Sequence, residues 1–122
     1  MKNSKRALGI RGEDLAVRYL KKKGYKIIER NYRCQWGEID LIAHHKGTLI
    51  FVEIKSRSSS GFGLPQDAVD RFKQEKLIQA AKAYMAEHYV YETIPARFDV
   101  VAVRLTPSGP EMELIKNAFL AG

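Results

Sequence analysis

Two carboxylates and a lysine occur in a pattern that could hydrolyse a phosphodiester. Glu53 and Lys55 are two residues apart, and Asp40 precedes them in the chain. Carboxylate oxygens are ligands that Mg²⁺ and Mn²⁺ prefer, and the backbone carbonyl of Ile54 could add another. Lys55 could orient the attacking water or meet the negative charge that develops on the phosphate. The pattern therefore favours metal-dependent phosphodiester hydrolysis, with Asp40 and Glu53 as metal ligands.

The same three residues have a second interpretation as an ordinary cross-strand ion pair. A bare Asp…Glu-x-Lys pattern is short and common, and on a solvated sheet the pair would be worth at most about 1 kcal/mol. The surrounding sequence favours a site instead, because Ile39-Asp40-Leu41-Ile42 and Phe51-Val52-Glu53-Ile54 are apolar. Charges are normally avoided in such segments unless something compensates them. A bound metal ion would do so.

Both segments are predicted to lie on one β-hairpin that brings the carboxylates together. Its strands run from Gly37 to His44 and from Thr48 to Ser56, with a turn at Lys46-Gly47. A two-residue turn there sets Asp40 opposite Glu53. Directly opposed residues share a face of the sheet.

The two faces of this hairpin differ in character. The same counting pairs His45 with Thr48 and Glu38 with Lys55. One face therefore carries Ile42 and Phe51 and a polar end made of Glu38, Asp40, Glu53 and Lys55. The other face is apolar throughout and carries Ile39, Leu41, Ala43, Ile50, Val52 and Ile54. A hairpin that is apolar on both faces needs cover on both, which indicates a sheet between helices.

Two long helices are predicted to provide that cover. The first runs from about Lys5 to Lys23, and Glu13 lies at the edge of its apolar stripe. The second runs from about Gln66 to Tyr89, with Pro65 suited to its start. Extending its apolar stripe backwards by one turn reaches Lys73, which places an ammonium where the helix should approach the polar end of the sheet.

Further strands complete a single α/β domain over residues 1–122. Tyr25 to Arg33 precedes the hairpin, and Arg97 to Leu105 follows the second helix. Glu111 to Ile115 could return as a short edge strand after a turn at Pro107-Ser108-Gly109-Pro110. The element order is αβββαβ with one further β-strand. A length of 122 residues suits one domain with one core.

The composition indicates the kind of partner and compartment. The 21 Lys and Arg residues against 14 Asp and Glu give a formal net charge of +7. This charge favours a polyanionic partner such as nucleic acid, although it also serves solubility. The one cysteine, Cys34, excludes an internal disulfide and a thiolate zinc site, which indicates a reducing compartment. Since neither a secretory signal nor a membrane-spanning apolar segment is apparent, we expect a cytoplasmic protein without a membrane partner.

Several basic and aromatic residues are candidates for nucleic-acid contacts. Arg57, Lys73 and Lys76 could bind backbone phosphates, which brings affinity without sequence information. A solvated helix face is the other interpretation of the two lysines, and for Lys76 it is favoured. Trp36 could stack on an unpaired base, although an aromatic residue at the start of a strand more often belongs to the core or its rim.

Three other polar residues are predicted to lie outside the site, the two histidines as structural or surface residues and the aspartate as a structural one. His44 and His45 are adjacent on a strand, point to opposite faces, and are therefore poor ligands for one metal. Asp99 lies in an alternating strand, where it could pair with Arg97 or Arg104.

Taken together, segments along the whole chain resemble the YraN-like uncharacterised bacterial proteins, which are placed with the restriction-endonuclease-like PD-(D/E)xK nucleases and close to archaeal Holliday junction resolvases. The segments are Gly12-Glu13-Asp14-Leu15-Ala16, Arg30-Asn31-Tyr32-Arg33, Gly37-Glu38-Ile39-Asp40-Leu41-Ile42, Phe51-Val52-Glu53-Ile54-Lys55-Ser56-Arg57, Lys73-Gln74-Glu75-Lys76-Leu77, Arg97-Phe98-Asp99-Val100-Val101 and Asn117-Ala118-Phe119.

The resemblance implies a restriction-endonuclease-like αβββαβ core with a mixed central sheet flanked by helices. It implies that Asp40 and Glu53 are metal ligands, that Lys55 is the catalytic lysine, and that Glu13 joins the site directly or through water. Ile39 stands where the superfamily often has a proline, which leaves the carboxylate chemistry intact. The similarity to resolvases suggests branched or junction DNA as substrate and a homodimer that acts on opposed strands.

Two other classes of function compete with an endonuclease. A non-catalytic nucleic-acid-binding module would keep the nuclease fold and the basic surface without turnover. A structural or assembly factor would use the acidic cluster only as a folded ion-pair network. Metal binding separates the last of these from the others, and cleavage separates the first two.

Overall fold

The computed structural model describes residues 4–57, 69–89 and 94–119, with the side chains of residues 4–10 and of Arg57 outside that description. The elements are α1 (Ser4–Lys22), β1 (Lys26–Cys34), β2 (Gly37–His45), β3 (Thr48–Arg57), α2 (Arg71–His88), β4 (Ala96–Thr106) and β5 (Gly109–Phe119). This order confirms the predicted α/β fold, and the fifth strand is longer than the sequence indicated.

The five strands form one mixed sheet in the order β1-β2-β3-β4-β5. Its parallel pair is β3 with β4, whereas the other neighbouring strands are antiparallel. A parallel pair requires a crossover connection, and α2 lies in that connection. The arrangement is compatible with a restriction-endonuclease-like core.

The turn between β2 and β3 confirms the predicted register of the hairpin. Lys46 and Gly47 have φ values of 50° and 82°. Positive φ at both central residues is what a type I′ turn requires, and such turns suit the twist of a hairpin. His45 pairs with Thr48 as predicted, and the ladder continues as far as Leu41 opposite Val52.

The predicted pairs beyond that point were wrong. Neither Asp40 with Glu53 nor Glu38 with Lys55 belongs to the ladder. The backbone N–H of Ile54 donates instead to Asp40 Oδ2 at 2.8 Å. A side-chain oxygen thus takes the place of a backbone carbonyl, and β2 and β3 stop pairing where the carboxylates lie.

The sheet is packed on both faces, as the apolar character of the hairpin predicted. On the α1 side, Leu20 belongs to a buried cluster with Leu41, Ala43, Ile50 and Val52. On the α2 side, Leu77 and Tyr84 belong to a second cluster with Ile42 and Phe51. In the hairpin, Ile39 departs from strict alternation, because it lies in the α2-side cluster and not on the α1 side.

A left-handed residue in β1 accompanies the displacement of Ile39. Asn31 has a φ of 57°, a conformation that residues other than glycine adopt rarely. The pairs on either side of it are Arg30 with Leu41 and Tyr32 with Ile39. The β1–β2 ladder therefore skips Asn31 and Asp40. The alternation of side chains between the two faces is interrupted there on both strands, and Ile39 lies on the same face as Tyr32.

The second helix starts later than Gln66, the predicted residue. It begins at Arg71, because the side chain of Asp70 accepts the backbone N–H of Lys73 at 2.8 Å and caps the helix. Gln66 and Pro65 lie outside the described residues. None of the described helices is both long and apolar enough to cross a membrane.

Candidate metal and nucleic-acid site

Asp40 and Glu53 meet where β2 and β3 separate. Glu53 is only 4% exposed, and Asp40 is partly buried. Burial and then the nearby Glu53 carboxylate raise the pKa of Asp40 to about 7, against the opposing effects of the Ile54 N–H and Lys73. Two carboxylates this close in an apolar setting repel one another when both are ionised.

Lys73 supplies positive charge to this pair from the neighbouring helix. Its Nζ lies 2.9 Å from Glu53 Oε2. The other oxygen of that carboxylate, Oε1, is buried and has no hydrogen-bond partner among the described residues. A buried acceptor without a donor is costly, so this atom is a position that a cation or a water would stabilise.

The donor set fits a hard divalent cation. Asp40 and Glu53 offer carboxylate oxygens, and the carbonyl of Ile54 is a further oxygen on the same strand. Within the described residues, no three or more His, Cys, Asp and Glu side chains converge on a common point. The set therefore suits Mg²⁺ or Mn²⁺, which retain several waters, better than a metal that needs a complete cage of side chains.

Lys55 lies two residues after Glu53 on β3 and is partly buried. Strand alternation places it on the same side of the sheet as Glu53. It makes no ion pair with any side chain within the described ranges, whereas Lys73 does. Of the two lysines, Lys55 is therefore the one whose ammonium is not paired with a carboxylate of the described residues.

Glu13 is held by β1 and not by the carboxylate pair. Its Oε2 accepts from Arg30 Nε at 2.7 Å and from Asn31 Nδ2 at 3.2 Å. Arg30 also bonds to the neighbouring Asp14 at 2.7 Å. The described structure groups Glu13 with basic and amide side chains, and its predicted role as a metal ligand stays a prediction.

The helix that carries Glu13 lies directly against the strand that carries Lys55. A Cβ added at Gly12 would lie 2.0 Å from Ser56 Oγ. A Cβ there would force Ser56 to shift, so glycine allows the close approach of α1 to β3. This contact fixes the end of β3 from the α1 side of the sheet.

A cleft of about 270 Å³ opens beside the carboxylate pair. It is lined by Trp36, Gly37, Glu38, Asp40, Lys73, Lys76 and Leu77. The structure thus brings three of the four predicted nucleic-acid contacts to one place next to a predicted metal ligand. The side chain of the fourth, Arg57, is outside the described residues.

The sequence interpretation missed two features around this cleft. It placed Lys73 near the polar end of the sheet without identifying Glu53 as its partner. It also passed over Phe72, which is 71% exposed and whose ring lies 5.1 Å from Lys76 Nζ. The sequence did contain a signal for an exposed ring, because Phe72 is next to Lys73 and lies off the apolar stripe of α2.

Asp99 is structural, as predicted. It is fully buried and accepts hydrogen bonds from Arg97, Tyr25 and the backbone N–H of Asn117. The alternative partner was wrong, because Arg104 pairs with Glu111 on β5 at 2.8 Å.

His45 also has a structural role, in the part of the molecule around Asp99. The ring of His45 stacks on that of Tyr25 with centroids 4.4 Å apart. Tyr25 also donates a hydrogen bond to Asp99. His45 therefore packs in the region of Asp99 and not beside the Asp40 and Glu53 carboxylates.

The fold and the site define an α/β protein compatible with the restriction-endonuclease-like class. The profile of the uncharacterised protein family UPF0102 matches residues 12–103, and the chain belongs to this family. The matched range contains every residue predicted here for the site.

Relatives confirm the resemblance to an uncharacterised bacterial family. The chain is 48% identical to a UPF0102 protein of Geobacter sulfurreducens over 92% of this chain and 88% of that protein. It is 46% identical to one of Caldanaerobacter subterraneus over 97% and 98% of the two chains. A UPF0102 protein of Syntrophus aciditrophicus is 49% identical over 88% and 84%.

Proposed function

We propose that this protein is a Mg²⁺/Mn²⁺-dependent endonuclease that hydrolyses DNA phosphodiesters. One observation carries the proposal: the buried carboxylate of Glu53 and the partly buried one of Asp40 face each other where two strands separate, and one oxygen of Glu53 has no partner among the described residues. Ionised carboxylates in that setting need a cation, and metal-dependent phosphodiester hydrolysis uses a divalent ion held beside a basic cleft.

Each residue of the site has a role in this proposal. Asp40, oriented by the Ile54 N–H, and Glu53 hold the metal together with the Ile54 carbonyl. The bound metal would polarise the phosphate and lower the pKa of a coordinated water. Lys55 orients the attacking water or meets the charge that develops on the phosphate.

The surroundings of the site support nucleic acid as the substrate. The net charge of +7 favours a polyanion, and Lys73 and Lys76 line the cleft beside Asp40. Branched or junction DNA, cut by a homodimer, is the form of substrate and assembly that the similarity to resolvases suggests. A two-fold symmetric dimer would present two sites to opposed strands.

A non-catalytic DNA-binding module is the second candidate. The ion pair between Lys73 and Glu53 favours it, because an ammonium already neutralises one carboxylate without a metal. In that case the cleft and its lysines would bind DNA, and the carboxylates would serve only to position Lys73.

A nicking assay separates the two candidates. Purified protein is incubated with Mn²⁺ and duplex, flap, single-stranded and four-way-junction DNA. Glu53→Gln and Lys55→Met are the test variants, and Lys82→Met, an exposed lysine of α2, is the matched control. We expect nicking that falls at least about a hundredfold in both test variants and is unchanged in the control.

The opposite result would end the catalytic proposal. If no member of the panel is nicked while a salt-sensitive mobility shift persists, the binding module is correct. Isothermal titration with Mn²⁺ adds a readout that does not depend on activity. Binding heats that Glu53→Gln leaves unchanged would exclude this carboxylate as a ligand.

A further inference from the structure

An exposed indole borders the cleft next to the carboxylate pair. Trp36 lies in the turn between β1 and β2 and is 40% exposed. With 40% of its surface exposed, the ring is accessible to a ligand, whereas tryptophan is highly buried on average.

The other residues of the cleft offer positive charge. Lys73 and Lys76 from α2 line it together with Leu77. Both ammonium groups can donate to phosphate oxygens, and Lys73 also reaches the buried Glu53. One cleft thus combines a flat aromatic surface, two cations and the proposed metal ligand Asp40.

This combination matches the chemistry of one nucleotide with an exposed base. A base presents a flat π-face, and its phosphates are anionic, so an aromatic ring with nearby lysines binds it in single strands. Bases within a continuous duplex are stacked on their neighbours and offer only their edges in the grooves. An indole at the site can therefore stack on a base that is unpaired or has left the duplex.

We infer that the cleft binds an unpaired nucleotide, with its base stacked on Trp36 and its phosphates near Lys73 and Lys76. This inference rests on the proposed function and adds a property of the substrate, which carries unpaired bases beside the phosphate that is cut. Single strands, flaps and bulges are then preferred over a continuous duplex.

The chain provides its own reporter, because Trp36 is its single tryptophan. Intrinsic fluorescence is recorded with EDTA present, so that no metal-dependent cleavage occurs, while three unlabelled DNAs are titrated. These are a thymidine oligonucleotide, a fully matched duplex, and the same duplex with one unpaired thymidine. The single strand and the bulged duplex should quench the indole by about half, because a thymine stacked on the ring quenches its excited state directly. The matched duplex should bind with little quenching.

Variants measure how much the ring contributes to the preference. Affinities for end-labelled versions of the same DNAs are measured by anisotropy. Trp36→Ala should weaken binding of the single strand by about tenfold and leave duplex binding nearly unchanged. Trp36→Phe keeps an aromatic ring and should retain most of the preference. Ile28→Ala removes an exposed apolar side chain of β1 that does not line the cleft and should have no effect on it.

Any of three results would overturn the inference. The first is equal quenching by the matched duplex and the single strand. The second is an equal loss of affinity for both DNAs in Trp36→Ala. The third is cleavage without preference for unpaired bases, which would leave the nuclease proposal standing. The expected quenching without any cleavage would instead remove the nuclease proposal and leave nucleotide binding in the cleft standing.

Discussion

The ammonium of Lys73 on α2 binds the buried carboxylate of Glu53 on β3 at 2.9 Å. This ion pair joins the crossover helix to the strand that carries the predicted catalytic residues. It satisfies Oε2 of Glu53 and leaves Oε1 without a partner among the described residues. The pair therefore links the stability of the α2 contact to the charge of the site.

Removal of the Lys73 charge tests this link. Lys73→Met should lower the free energy of unfolding by about 2 kcal/mol in metal-free buffer, because Glu53 stays buried without its counter-ion. The figure is below that for a fully buried pair, since the Lys73 side chain is 46% exposed. Mn²⁺ should restore most of this loss by binding the freed carboxylate. Urea unfolding with EDTA and with Mn²⁺ measures both effects.

Lys76→Met is the matched control for that experiment. Lys76 lies one turn along the same helix and lines the same cleft, and no ion pair with a carboxylate is found for it within the described structure. It should leave stability nearly unchanged with or without Mn²⁺. An equal loss in Lys73→Met under both conditions would show that the metal does not replace the ammonium.

The carboxylate pair should also make stability depend on pH. The pKa of Asp40 is raised from 3.8 to about 7, so the folded protein keeps a proton that the unfolded chain releases. In metal-free buffer, stability should therefore fall as the pH rises from about 4 to about 7 and level off above that. The loss should be roughly 2 to 4 kcal/mol, at about 1.4 kcal/mol for each pKa unit. Urea unfolding over this range measures the slope.

Asp40→Asn identifies the group responsible. The substitution removes the titrating carboxylate, so the fall in stability between those pH values should become much shallower. Glu111→Gln is the control, since Glu111 is an exposed carboxylate on β5. An unaltered slope in Asp40→Asn would assign the pH dependence to another group.

The buried Asp99 should matter for stability and not for the site. Asp99→Asn leaves Arg97 without its counter-ion and should lower the free energy of unfolding by about 3 kcal/mol. Mn²⁺ binding by the folded variant should stay at the wild-type level, because Asp99 bonds to Tyr25, Arg97 and Asn117 and not to the carboxylate pair. Urea unfolding and isothermal titration are the two measurements, and a lost Mn²⁺ heat would contradict this separation.

The close contact of α1 with β3 predicts a compensating double mutant. Gly12→Ala places a Cβ against Ser56 Oγ and should cost about 1 to 3 kcal/mol through overpacking. Ser56→Gly removes the opposing atoms, so the double mutant should recover part of that loss. Thermodynamic coupling from urea unfolding of the four proteins tests this, and simply additive effects would contradict it.

Local sequence rules were sufficient for most of the fold. Strand alternation identified the faces of Leu41, Ile42, Ile50 and Phe51, because each strand residue turns its side chain opposite to that of its neighbour. The turn residues identified the register, because few sequences tolerate positive φ at two consecutive positions. These signals lie within a few residues of what they determine.

The errors came from single residues that break such rules. Asn31 adopts a left-handed conformation, and Ile39 faces the opposite side from the one that alternation predicts. Asp70 caps α2 and makes the helix start later than its amphipathic pattern indicated. Neither departure has a strong local signal, because asparagine and aspartate occur in many other contexts.

The site was predictable as a set of residues and not as a set of contacts. The spacing of Asp40, Glu53 and Lys55 identified the strands, and the helix stripe brought Lys73 near them. The bond between Lys73 and Glu53 depends on how α2 packs on the sheet, which no local pattern specifies. For the same reason, the bonds of Glu13 to Arg30 and Asn31 emerged only from the structure.

The order of elements along the chain also has a consequence for folding kinetics. A two-residue turn joins β2 to β3, whereas β4 reaches β3 only after α2. Closing a short hairpin costs less chain entropy than joining distant strands, so Asp40 and Glu53 should meet before Lys73 docks. Before Lys73 docks, a proton bound by Asp40 reduces the repulsion between the two carboxylates. Refolding in a stopped-flow experiment should therefore be faster in mildly acidic than in mildly alkaline buffer, and Asp40→Asn should abolish the difference.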